Sequence, residues 1–478
     1  MMAYLLILLP LAAAALALAI PSNRLRPWLL PPIAATHTVL LGIVLARPEL
    51  AKVSEELVLD PMGKVVLASI SVLFLLCSFY SVGYLKYRDE RSNRVFVACL
   101  LAFLGLISLV AWSHHLGLMW VAIEGTTLVS APLIYFKHSK LSIEATWKYL
   151  LVGSVGIALA LLGTFFLAYS SMRNGMEATL ALSDLLARGP SLSKRWLHAS
   201  FILLLVGYGT KMGLAPMHTW KPDAYGEAPG VVGAILAGGV TSGAFLALTR
   251  AYQICVASGE GAFSSRLLMF MGLFSIAVAG LFMIGQKDFK RMLAYSSVEH
   301  MGILALGLGI GGPALFATVL HVVTNSMTKG ALFLSAGNIH RSFASKNTDT
   351  VSGAIRRLPL SGSIFLAGFL AITGSPPFGP FISEFGILNG AFSSGHFLAA
   401  GLFLFFLLVV FIGMGRTVLK VTQGEVPENL AETSYKDDFL MAAPTLAFLL
   451  IALILGLYIP EPARQLLADA AALLENRL

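Results

Sequence analysis

Eight ionisable side chains stand inside stretches that are otherwise apolar: Glu124, Lys148, Lys211, Glu299, His300, His321, Lys329 and Glu384. Carboxylates, lysines and histidines exchange protons when burial and neighbouring charge perturb them. A lysine at the centre of a membrane helix costs about 2.5–3.5 kcal/mol on insertion scales, so its retention points to use. The residues for other chemistries are missing from the pattern. Cys77, Cys99 and Cys255 lie on different apolar stretches, and no pair has the spacing of a metal or iron–sulfur ligand set. The glycines occur singly in apolar runs, where they allow close helix packing, and form no phosphate-binding loop. The chain is expected to carry no cofactor, no metal and no redox active site of its own. A proton relay needs none of these.

Spacing sharpens this reading. His321, Asn325 and Lys329 recur at i, i+4 and i+8, which places them on one helix stripe about 12 Å long. Such a stripe has no reason to face lipid, and its alternative is a packed polar seam. Lys211 lies five residues before Pro216, where a helix is expected to break, because proline lacks the N–H and clashes with the preceding turn. The same logic applies at Pro376, Pro377 and Pro380, with Glu384 one turn beyond. Broken helices survive in a bilayer only where the freed backbone is buried in protein or lines a wet cavity. Glu124, amid LMWVAIEGTTLVSAPLIYF, must be paired, protonated or wet, and a hydroxyl such as Thr126 or Thr127 is its bland partner. Lys148 is a turn inside its stretch and either snorkels to the interface or joins the set. Glu299 and His300 point about 100° apart on a helix, and at least one is expected to face the interior.

The elements that hold these residues are transmembrane helices. Of 478 residues, 57% are hydrophobic and 12% charged, against about 25% charged in soluble domains. Runs of about 20 apolar residues span a bilayer. Fourteen are expected, near 2–20, 28–46, 63–86, 95–113, 115–136, 145–171, 198–217, 228–255, 264–285, 291–311, 313–340, 362–394, 396–419 and 438–460. The first has no basic leader and reads as a retained span. The eighth carries hydroxyls at Thr241 and Ser242 and is expected to hold no charge. The residues after the break of the seventh, MHTWKPDAYGEAP, suggest an ordered re-entrant segment, and the tail ARQLLADAAALLENRL suggests an amphipathic helix. The net charge of +8 is spread over short loops and does not indicate nucleic acid. Counted with the basic residues near the span ends, odd-numbered loops carry 19 Lys and Arg against 9 in even-numbered ones. By the positive-inside rule the odd loops are cytoplasmic and both termini face the other side.

Two broken helices lie five spans apart, which suggests two five-helix units, and an odd number of spans per unit inverts one relative to the other. The expected fold class is an all-α polytopic membrane protein of about fourteen helices with two inverted repeats. Its divisions are an N-terminal three-helix segment at 1–94, repeats at 95–255 and 264–420, and a final helix with its tail at 421–478.

The segments YGTKMGLAPMHTWKPDAYGEAP, QKDFKRMLAYSSVEHMG, HVVTNSMTKGALFLSAGNI and GSPPFGPFISEF together resemble the antiporter-like membrane subunits of complex I and the Mrp-type cation/proton antiporters. The resemblance covers about residues 60–420. WVAIEGTTLVSAPLIYF is most similar to hydrogenase-4 component F of the group 4 membrane-bound nickel–iron hydrogenases, the formate hydrogenlyase type. It implies a proton-conducting subunit coupled to redox chemistry on other chains. It also implies that Glu124 and Lys211 are partners, that Lys148, His321, Lys329 and Glu384 join the relay, and that Ser242 stands where many members carry a lysine. A hydroxyl there orients water but holds no charge, which leaves water, His300 or impaired coupling as the alternatives. The expected partners are other membrane subunits, a cytoplasmic hydrogenase-like or quinone-module arm, protons and lipid in the cytoplasmic membrane. A sodium/proton antiporter and a non-conducting scaffold are the competing functions.

Overall fold

A chain crossing lipid must satisfy its own backbone N–H and C=O groups, and an α-helix does so within one segment. In the computed structural model, residues 1–88, 91–172, 177–427 and 435–475 are described, and no strand forms among them. Parts of loops 86–94, 172–197 and 421–437 and the end of the tail lie outside the described residues. Among the described residues, eleven helices are long and apolar enough to cross a membrane. The three expected spans beyond these are the seventh, eleventh and twelfth. The seventh and eleventh are too polar and the twelfth is split into two short helices, so fourteen is not reached by that measure.

The helices run α1 Met2–Ala19, α2 Leu30–Ala46, α3 Pro61–Lys86, α4 Arg94–Trp112, α5 Leu116–Ile134, α6 Lys140–Ser171, α7 Leu182–Ala187, α8 Lys194–Met212, α9 Trp220–Glu227, α10 Gly230–Ile235 and α11 Thr241–Ala257. They continue as α12 Gly261–Met283, α13 Phe289–Ile310, α14 Leu315–Phe343, α15 Ala354–Arg357, α16 Pro359–Ile372, α17 Gly379–Ser393, α18 Phe397–Thr422, α19 Phe439–Leu457 and α20 Glu461–Leu474. Helix α14 is the hub and packs on α3, α10, α13, α16, α17, α19 and α20. Its polar stripe therefore has helices on all sides and no lipid. The tail helix α20 is amphipathic as expected, with Leu467, Ala470 and Leu474 buried where it meets α3 and α14.

Both expected breaks are present, but proline does not start either one. Helix α8 ends at Gly213, whose φ is +76°, three residues before Pro216. Helix α16 ends at Ile372, followed by Gly374 with φ +67°. In each, the N–H after the glycine returns five residues: Leu214 to Gly209 O at 2.8 Å, and Ser375 to Leu370 O at 3.0 Å. This is a Schellman ending, which needs a left-handed residue that glycine supplies without a Cβ clash. The prolines at 216 and 377, each three residues after its glycine, follow cis peptide bonds. They keep the chain from resuming the helix at once, which it does at Trp220 and Gly379.

The eighth span is also corrected. Between α10 and α11 the turn Leu236–Val240 is a π-helix. Arg250 lies buried in α11, where no charge was expected. Its guanidinium grips both oxygens of Asp60, and Asp60 also accepts from Gly63 N at 2.7 Å, capping α3. This pair clamps the start of α3 to α11. Arg250 was missed because it sits at the edge of the hydrophobic window, and its partner is 190 residues away.

Candidate functional site

Lys211 is the penultimate residue of α8, and its side chain is 1% exposed. The Nζ donates to Glu124 Oε2 on α5 at 3.3 Å and to Thr127 Oγ1, one helical turn further along α5. Glu124 in turn accepts from Ser154 Oγ of α6 at 3.2 Å. The bland hydroxyl partners expected for Glu124 do not serve it: Thr126 bonds its own helix at Ile123 O, and Thr127 serves the lysine. The ammonium also lies 5.8 Å from the centre of the Tyr149 ring, a favourable distance for a cation over an aromatic face. Three helices and the α8 break thus enclose one ion pair.

Lys148 does not join this pair. Its side chain is 46% exposed, and it binds Glu144 at 2.6 Å and Asp223 at 2.8 Å. It snorkels to the end of the bundle, where Asp223 also binds Arg291. Nearby, Lys346 bridges Glu227 at 2.5 Å and Asp288 at 3.0 Å. In the adjoining loop, hydrogen bonds from Lys287 and Lys420, each 2.7 Å away, hold the Asp349 carboxyl down at about 2.

The second half gathers five of the expected residues. Glu299 and His300 of α13 both face inward, and His300 Nε2 is 3.7 Å from Glu299 Oε2. His300 Nδ1 is 3.0 Å from His321 Nε2 on α14 and 4.0 Å from Glu384 Oε1 on α17. One ring nitrogen of that pair must carry the shared proton. His321 Nδ1 meets Ser383 Oγ at 2.8 Å, and Ser383 sits 2.9 Å from Pro380 O. If Ser383 donates to Pro380 O, His321 Nδ1 carries its hydrogen and Nε2 accepts from His300, the orientation such an outer partner imposes. Lys329, two turns along the stripe, donates to Ser296 Oγ at 2.6 Å, and Ser296 is 3.4 Å from Glu299 Oε2. Neither side-chain polar atom of Asn325, between them on the stripe, has a hydrogen-bond partner among the described residues, nor have Glu384 Oε1 and His300 Nε2.

His300 Nδ1, His321 Nε2 and a Glu384 oxygen approach within 4.8 Å of one another, as the ligands of a small cation would. Two of these three donors already satisfy each other through one hydrogen bond, so the arrangement suits a proton. Between the halves, Ser242 is buried, donates to Gly238 O at 2.7 Å and lies 3.5 Å from Ser326 Oγ on α14. It sits two residues after the π-turn, a local widening often found at functional positions.

The structure adds Ser154, Ser296, Ser297, Ser383 and Lys221, none singled out from sequence. Serines in apolar helices commonly bond their own backbone, as Ser335 and Ser326 do here, so their type alone is no signal. Lys221 was visible only as one polar residue in a polar segment.

Residues 113–412 match the family described as NADH:quinone oxidoreductase/Mrp antiporter, TM, and the chain belongs to that family. It is 34% identical over 419 residues to a hydrogenase-4 component F homolog of Methylacidiphilum infernorum, covering 84% of this chain and 87% of that protein. It is 31% identical over 344 residues to NADH-quinone oxidoreductase subunit N of Desulforudis audaxviator, covering 71% and 67%. It shares its fold with a chain of the archaeal membrane-bound sulfane sulfur reductase, with a TM-score of 0.87, 21% identity and coverage of 99% and 97%. The protein is a multi-pass membrane protein of the antiporter-like class, and these relatives are subunits of multi-subunit membrane complexes.

Proposed function

We propose that this chain translocates protons as an antiporter-like subunit of a complex I-related membrane oxidoreductase of the hydrogenase-4 type. The observation that carries this is the ion pair of Lys211 and Glu124 at one helix break and the polar cluster from Lys329 to Glu384 at the other. A carboxylate beside Lys211 favours its ammonium form, and separation from that carboxylate disfavours it, because a charge without a partner in a low-dielectric interior is costly. Movement of α5 against the end of α8 then loads or unloads a proton. In the second half, Lys329, Glu299, His300, His321 and Glu384 form a file of donors and acceptors on α13, α14 and α17, in which His300 stands 3.7 Å from Glu299 and 4.0 Å from Glu384, gaps wider than a hydrogen bond. Asn325 supplies unpartnered polar atoms along it, and Ser242 with Ser326 supplies hydroxyls between the halves. Lys148, exposed and held by Asp223, stands at the cytoplasmic mouth.

The two glycine-capped breaks support division into repeats at 95–255 and 264–420, with 1–94 and 421–478 as flanking segments. Loop charge supports a cytoplasmic-membrane orientation with both termini outside. The redox centres belong to other chains, a hydrogenase-like or quinone-module arm on the cytoplasmic side. Purification of the intact complex followed by mass spectrometry, with proton movement measured in sodium-free and sodium-containing vesicles, tests the reading. It requires a redox subunit in the complex and proton movement independent of sodium. Sodium-dependent exchange with only Mrp-type partners would replace it with a cation/proton antiporter.

A further inference from the structure

Lys221 is fully buried, lies on α9 just beyond the first break, and belongs to no ion pair described above. Its Nζ donates to Ser297 Oγ at 3.0 Å and Ser297 O at 3.3 Å. Among the described residues no carboxylate lies within 4.0 Å of it. Buried cations outside the two clusters have evident structural work. Arg250 is paired with Asp60. Lys290 donates to Gly226 O and Ala228 O at 3.0 and 2.5 Å, closing the C-terminal end of α9. Lys221 caps nothing and neutralises nothing.

Its position is informative. A Cβ on Gly213 would fall 2.4 Å from Lys221 Cδ and 3.0 Å from its Nζ, so the lysine lies directly on the left-handed glycine that ends α8. At the other break, a Cβ on Gly374 would fall 2.3 Å from Glu384 Oε2. Both breaks read Gly-x-x-Pro, and both seat an ionisable side chain of the following helix on that glycine. Lys221 is thus the first-half counterpart of Glu384.

It also stands between the two clusters. Lys221 holds Ser297, and Lys329 from α14 holds the adjacent Ser296. The Lys221 ammonium also lies 5.7 Å from the Tyr225 ring centre, and the Lys211 ammonium 5.8 Å from that of Tyr149. Those two rings are joined through Trp220, at 5.0 and 5.9 Å between centroids. From these contacts we infer that Lys221 is a proton-carrying residue, the link between the Lys211–Glu124 pair and the Lys329 cluster. The charge absent at Ser242 is supplied from the re-entrant helix. A proton arriving on Lys221 repels the one on Lys329 across the two serines, so occupancy passes forward. The inference rests on the proton-translocation reading of the chain.

The test uses the whole complex in proteoliposomes, with protons moved per electron transferred as the readout and assembly checked by native gel. Lys221→Met removes an uncompensated buried charge and should assemble at least as well as wild type, yet lose proton movement to the level of Lys211→Ala. Lys221→Arg should assemble and also fail, because a guanidinium keeps its charge but does not release its proton. Lys221→His should recover part of the activity, with a pH profile displaced from that of wild type. Normal proton movement in Lys221→Met, beside loss in Lys211→Ala, overturns this inference and leaves the proposed function standing. Normal movement in both overturns the proposed function. Should the methionine variant fail to assemble, the arginine variant decides: activity there shows a fixed structural charge, and an assembled inactive complex supports proton carriage.

Discussion

Glu124→Gln is the sharpest perturbation of the first half. It keeps the shape of the side chain and an oxygen for Ser154, and removes one negative charge. The carboxylate oxygen is 3.3 Å from Lys211 Nζ. At an effective dielectric of about 20, two unit charges at that separation attract by about 5 kcal/mol. The Glu124 side chain is 20% exposed, so solvent screens part of this. Removing one partner of a buried pair costs about 3–5 kcal/mol. With about 1.4 kcal/mol per factor of ten, the lower figure corresponds to roughly a hundredfold loss in the rate of the step that needs a charged Lys211. The assay is a double-mutant cycle in vesicles on Glu124→Gln, Lys211→Ala and the pair, reading proton movement with electron transfer as control. Residues acting as one unit are non-additive, so the double variant should be no worse than Lys211→Ala alone. Additive losses, or normal proton movement in Glu124→Gln, would refute the pairing.

Other outcomes follow from single contacts. Gly153→Ala places a methyl 2.9 Å from Lys211 Nζ; it should displace the ammonium and lower proton movement while the complex still assembles, as native gels and vesicle assays will read. Gly213→Ala forces a left-handed backbone and collides with Lys221; a loss of about 1–3 kcal/mol is expected from strain of this kind, seen as a lower melting temperature of the complex. Ser383→Ala frees His321 Nδ1 and should shift the pH profile of proton movement without changing assembly, whereas an unchanged profile would remove Ser383 from the relay. The Asp349 carboxyl, held at about 2 by Lys287 and Lys420, contributes stability that is present above its ordinary value near 4 and lost as pH falls towards 2. The effect is small at an exposed site and should appear as faster hydrogen exchange of residues 344–353 over that interval only.

The sequence was most legible where a residue's type conflicts with its surroundings. Glu124, Lys211, Lys329 and Glu384 are charges in apolar runs, and such charges must turn inward. The stripe His321, Asn325 and Lys329 was legible because helical period alone places it on one face. The breaks were located to within a few residues, yet attributed to proline when the left-handed glycines end the helices. Proline is visible as a chemical type, whereas a glycine's φ is set by the turn that it joins. Lys221 was illegible for the opposite reason to Lys211. Its neighbours His218, Asp223 and Glu227 make the segment polar, and only the return of the chain into the bundle buries one of them completely. Arg250 needed a partner in α3, and no local pattern announces a contact that distant.

The most direct measurement is the number of protons translocated per electron by the purified complex in sealed vesicles, wild type against Lys211→Ala, with assembly verified. The account predicts that the variant transfers electrons but loses the protons that this subunit moves, so the ratio falls. A ratio equal to wild type in fully assembled Lys211→Ala complexes would contradict it and leave the chain a membrane scaffold.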